Sequence, residues 1–141
     1  MTAQDVKLWL MRGFWLRLEK EQIARMRQET FTRLTKVTQD FSGVVTSGTK
    51  DPHKYDVIAE LDADLAEKEA EIEKSLLDIY KAISSLRDDR LRFIMFARYY
   101  EGQSWQKIID MSHYSDRQIY RLHGTALMQL IPYLEKKNNR R

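Results

Sequence analysis

Between Lys54 and Leu86 the chain places Ile58, Leu65, Ile72, Ile79 and Leu86 every seven residues, with Leu61, Leu76 and Ile83 in the turns between. So regular a period marks one long helix with a single apolar seam, coiled-coil-like in its spacing. Such a helix is not stable alone in water, because most helical stability in proteins comes from covering an apolar face. The seam therefore demands at least one more helix of similar length. The other side carries Asp62, Asp64, Glu67, Glu69, Glu71 and Glu73 and is expected to be solvated.

The second helix is predicted from Asp5 to Lys36, where breakers are almost absent and Leu8, Met11, Trp15, Leu18, Ile23, Met26, Leu34 and Val37 recur near helical spacing, with Gly13 as a weak point. Between the two, TQDFSGVVTSGTKDPH collects Gly43, Gly48 and Pro52 with small polar residues, as a connector does. The two helices are expected to form an antiparallel hairpin or to pack on a second copy. Residues 1–86 thus read as an oligomerisation or partner-binding domain.

Charge separates this half from the rest. Residues 1–52 carry nine Lys and Arg against six Asp and Glu, residues 53–86 four against nine, and residues 87–141 eleven against six. A polyanion is therefore expected to meet the C-terminal part. With no cysteine in its 141 residues, the chain holds no disulfide, thiolate zinc site or cysteine nucleophile. Lys7, Arg12 and Arg17 interrupt the apolar N-terminus far short of a membrane span, and no signal peptide is read there. A cytoplasmic protein with no membrane partner is expected.

The C-terminal segment is built of shorter helices. Arg87 to Glu101 is apolar on the side of Leu91, Ile94, Met95 and Tyr99 and is closed by Gly102. Ser104 is placed to cap a helix from Trp105 to Met111, and Ser112, His113 and Tyr114 make a tight connector. Ser115 and Gln118 have the spacing of a capping box, and Asp116 suits the positive end of the helix that follows. On that helix Ile119, Leu122, Ala126, Leu127 and Leu130 share one side, which directs Arg117, Gln118, Arg121 and Thr125 outward.

A short helix, a tight turn and a longer second helix with outward donors predict a helix-turn-helix whose second helix fits the major groove. Arg can bridge guanine O6 and N7, and Gln can bridge adenine N6 and N7. Base reading is therefore assigned to Arg117, Gln118 and Arg121, and phosphate contact to Arg98, Lys107 and the tail residues Lys136, Lys137, Arg140 and Arg141. Trp105, Tyr114 and Tyr120 read as packing residues, and His123 as a packed or locally hydrogen-bonded one.

SLRDDRLRFIMFARYYEGQSWQKIIDMSHYSDRQIYRLHGTAL resembles region 4 of the sigma-70 family: a Leu-rich helix, an RYxxGxS-type segment, a Ser-containing turn and a recognition helix ending in Ala-Leu. More closely, Trp105, Tyr114-Ser115, Arg121-Leu122-His123 and Ala126-Leu127, behind a long helical N-terminal half, resemble the phage ArpU/RinA-type transcriptional regulators. The resemblance implies a DNA-binding activator of phage genes, often late ones, working with host RNA polymerase. Matching positions place base-reading residues at Asp116, Arg117 and Arg121 and backbone contacts near Gln103, Ser104 and Ser115. The sequence departs from the sigma pattern at Lys107, where Glu is usual, at Ile109, where a small residue is usual, at Ser112, where an apolar one is usual, and at Asp116, where a basic one is usual.

The resulting expectation is an all-α protein: a coiled-coil-like hairpin, residues 1–86, then a helix-turn-helix domain with a basic tail, residues 87–141. No phosphate loop, nucleophile elbow or catalytic carboxylate pair is found, so no enzyme and no cofactor or metal is expected. The partners implied are double-stranded DNA, RNA polymerase and a second copy of the chain, a dimer being favoured. Two other functions fit the same residues: a sigma-like adaptor that binds polymerase without reading DNA, and a DNA-packaging component of the small-terminase kind.

Overall fold

A computed structural model of the chain describes residues 1–42 and 52–140, the side chains of 37–42 and 52 excepted. Five α-helices account for most of it: α1 (Ala3–Ser42), α2 (Pro52–Ser84), α3 (Asp89–Met95), α4 (Trp105–Ser112) and α5 (Asp116–Asn139). There is no strand among the described residues. The all-α class is as expected, and α1 runs beyond the expected end at Lys36. Most of the predicted connector, with Gly43 and Gly48, lies outside the described residues. No helix among the described residues is long and apolar enough to cross a membrane.

The chain divides into two compact units, residues 1–17 with 74–141 and residues 18–73. The expected boundary after Leu86 does not coincide with that division, for a physical reason. The core of the first unit joins Val6 and Leu10 of α1, Ile79, Ala82 and Ile83 of α2 and Leu86 just past its end to Leu91, Ile94, Met95, Ile108, Ile119 and Leu130. The short helices α3 and α4 cannot close a core alone, and the lower turns of the long helices supply its missing wall. At Gly13 a Cβ would fall 2.7 Å from the Cδ1 of Ile79, so the absent side chain is what lets α1 and α2 approach.

Within that unit α3 starts at Asp88, whose carboxylate accepts the amide of Arg90 at 2.9 Å. After Met95 the helix widens into a π-type turn, Phe96–Tyr100. The chain then leaves through Gly102 at φ 72°, where the Phe14 ring lies 3.1 Å from the position of a Cβ. Only glycine meets both conditions without strain.

In the second unit Ile23, Ile58, Leu65 and Ile72 are buried, and so is Thr30. The Arg27 guanidinium lies 3.0 Å from a Glu69 oxygen and 3.5 Å from Asp62, and Lys20 lies 3.4 Å from Glu73. The Thr30 hydroxyl sits between the Arg27 carbonyl, at 2.9 Å, and Asp62, at 3.3 Å. The acidic face of α2, expected to be wholly solvated, is therefore partly spent on α1: Asp62 and Glu69 are half-buried there.

One expectation about the seams is narrowed and another is corrected. The heptad residues of α2 are buried inside the chain, apart from Leu61, which is exposed. That stripe is thus not open to a second copy. On α1 the chain buries Val6, Leu10, Gly13 and Ile23 and leaves Leu8, Met11, Trp15, Leu18 and Met26 exposed, the reverse of the predicted facing for those five. Val37 has its side chain outside the described residues.

Candidate nucleic-acid interface

The residues singled out on chemical grounds lie on α4, α5 and the turns before them. Each helix starts at a serine: the Oγ of Ser104 accepts the amide of Lys107 at 3.2 Å, and the Oγ of Ser115 accepts that of Gln118 at 3.2 Å. The second cap is reciprocal, since the Ser115 amide donates to the Gln118 Oε1 at 3.1 Å. Two otherwise orphaned amides are satisfied, which fixes where α5 begins.

Between the helices His113 adopts the left-handed conformation, φ 61°, and its amide donates to Ile109 O. Asn, Asp and His enter this region more readily than other side chains. Ser112 braces the turn: its hydroxyl donates to Ile109 O at 3.1 Å and accepts from the Tyr114 amide at 3.2 Å. A hydroxyl here binds the turn's own backbone, where an apolar residue would plug it by packing.

Behind the outward face lies an aromatic stack that only the structure brings together. His123 is buried on α5, and its Nε2 lies 2.6 Å from the Tyr99 hydroxyl of the π turn. The Trp105 ring meets His123 edge-on at 4.7 Å and Tyr120 at 5.4 Å. The Arg98 guanidinium sits 4.7 Å from the Trp105 centroid and donates to Gln103 O at 3.1 Å. Burial, followed by the nearby charges of Lys7 and Arg98, pushes His123 down to about 4, so the ring is neutral at pH 7. Burial pushes the Tyr99 phenol up to about 12, which keeps its proton for the hydrogen bond.

Arg117, Gln118, Arg121 and Thr125 are exposed on α5, as the pattern of buried residues predicted. Arg117 and Arg121 have no ion-pair partner among the described residues, nor does Lys107 on α4. Gln118 differs, because its carboxamide oxygen is held in the cap and only its amide nitrogen is left over. A two-point contact to adenine needs both ends of that group. Asp116 accepts the Arg117 amide at 2.7 Å in the first turn, which ties it to the helix start. Thr125 donates to Arg121 O at 3.1 Å. Ser104 and Ser115 are exposed cap residues, and Gln103 is half-buried with its amide on Ala97 O at 2.9 Å.

Two assignments of phosphate contact do not survive the geometry. Arg98 is half-buried and committed to Trp105 and Gln103. Lys137 is paired with Asp78 at 3.2 Å and lies over Trp9, and the tail around it continues α5 to Asn139. Lys136 and Arg140 stay exposed, and Arg141 lies outside the described residues. Of the aromatic residues read as packing ones, Trp105 and Tyr114 are half-buried, whereas Tyr120 is exposed and only its contact with Trp105 packs it; Tyr99 and His123 stand 24 residues apart, and sequence reading could not pair them.

No family model matches the chain, and no curated protein or solved structure matches it.

Proposed function

We propose that this protein is a sequence-specific double-stranded-DNA-binding transcriptional regulator of the phage ArpU/RinA type. On this reading α4, the His113 turn and α5 act as a sigma-70-region-4-like helix-turn-helix, and α5 enters the major groove. The supporting observation is the outward face of α5. Its two guanidinium groups have no ion-pair partner among the described residues, a capping box fixes its start, and its buried side is anchored to the core behind it. Arg117 and Arg121 read base edges as bidentate donors, the commonest specific contact to guanine. Lys107 supplies sequence-independent attraction to phosphate, and Gln118 holds the helix start in place.

Activation of phage late genes with host RNA polymerase is the biological role this reading carries. A single reading helix gives a modest interface, so a second copy or the polymerase adds to it. The exposed apolar residues Leu8, Met11 and Trp15 of α1 offer a surface for such a protein contact. They also favour a second reading, an adaptor that docks on polymerase without touching bases.

Selection from a random-sequence duplex pool, followed by footprinting at two salt concentrations, separates the two. Wild type is expected to enrich and protect one sequence, and the Arg117→Ala, Arg121→Ala double variant to lose that footprint. Activation that persists in the double variant would instead establish the adaptor. Equal, salt-labile retention of every fragment by both proteins would leave only polyanion affinity.

A further inference from the structure

Two glycines stand inside the helices described above, and they differ in what surrounds them. Gly13 is explained from within the chain by the Ile79 side chain against it. Gly124 is not: a Cβ built there meets nothing within 4 Å, and its φ is the ordinary helical one. Glycine in a helix interior is less favourable than alanine, and here no packing or backbone conformation of the chain itself offsets that.

The position on α5 is informative. Gly124 follows Arg121 by three residues and Arg117 by seven, so all three lie on the same outward side of the helix. From Arg117 to Pro132 the exposed side carries Gln118, Tyr120, Thr125, Met128 and Gln129 as well, with no acidic residue among them. The ridge is therefore cationic at its N-terminal end and bare at Gly124. About 10 Å of helix separates Arg117 from Gly124, a length comparable with the width of the major groove, about 12 Å.

We propose that Gly124 is a close-approach point, where the sugar–phosphate backbone of one DNA strand lies in van der Waals contact with the main chain of α5 while Arg117 and Arg121 reach the base edges. The inference rests on the DNA-binding reading above and deepens it. A duplex is the occupant because the charge of the flanking guanidiniums is complementary to phosphate.

The test is a substitution that should improve the protein and harm its function. Gly124→Ala is expected to raise the melting temperature by roughly 2 to 4 °C, since it gains helix propensity and meets no clash. It is also expected to weaken binding to a duplex selected by the wild-type protein by about tenfold, and Gly124→Gln to weaken it further. Neither variant removes a charge, so the slope of log affinity against log salt should stay at its wild-type value. If both variants bind that duplex as tightly as wild type while the Arg117, Arg121 double variant releases it, close approach is wrong and the DNA-binding reading stands. If wild type selects no duplex, both fall. A lower melting temperature for Gly124→Ala overturns the inference too, because something in the chain would then occupy that space.

Discussion

The unit formed by residues 1–17 and 74–141 and the unit formed by residues 18–73 are built from the same two long helices, yet they are held together differently. The first has α3, α4 and α5 to lay against the helix pair and gathers aliphatic side chains from all of them around Ile83, Ile94 and Ile119. The second has two helices only. Two helices can hide one seam, so it buries Ile23, Ile58, Leu65 and Ile72, leaves Met26, Phe31 and Leu61 exposed, and fills the remainder with Arg27, Thr30, Asp62 and Glu69. Apolar burial scales with how many elements can surround a side chain, and a polar seam takes over where there are too few.

If that contrast is right, the largest single effect comes from Ile94→Ala. The side chain is 1% exposed, and its loss should cost about 2 to 5 kcal/mol in a chemical-denaturation experiment. Acid should act next, and selectively on the first unit. The His123 pKa is lowered on folding from 6.5 to about 4, so the unfolded chain takes up a proton first as pH falls. The stability that His123 lends is complete above about pH 6.5, declines as the pH drops and is gone below about 4. His123→Gln should flatten the melting temperature across that window, and an unchanged slope would show that the ring is not held neutral.

In the second unit, Ile72→Ala should cost about 2 kcal/mol, the low end for such truncations, because a two-helix seam can close over the gap. Native-state hydrogen exchange should show its amides opening before those of α3 and α5, and uniform protection across both units would break the comparison. The smallest effect belongs to Arg27→Ala. Its ion pairs are partly solvated, so only a small loss of stability is expected, and that loss should shrink in high salt.

Much of the first unit was legible in the sequence because its signals are local. The heptad of α2, the serine caps and the buried side of α3 and α5 each follow from residues within a few turns of one another. The facing of α1 was not legible, since two apolar stripes compete on it: Leu8, Met11 and Trp15 against Val6 and Leu10. Bulk favours the first, and packing chose the second, because Gly13 on that side lets Ile79 come close. The same limit applies to Gln118, whose side chain suits a cap and a base equally well until geometry shows the cap holding it. Tyr99 and His123 meet only through tertiary packing, and no spacing rule announces them.

Lys137 lies near the far end of α5 from Arg117, held by Asp78 and Trp9. That pins the last turns of a helix whose other end is already held by its capping box and by Ile119 in the core. Whatever loosens the ammonium from its carboxylate would thus fray the C-terminal turns of α5 first and leave the guanidinium end where the cap and Ile119 hold it.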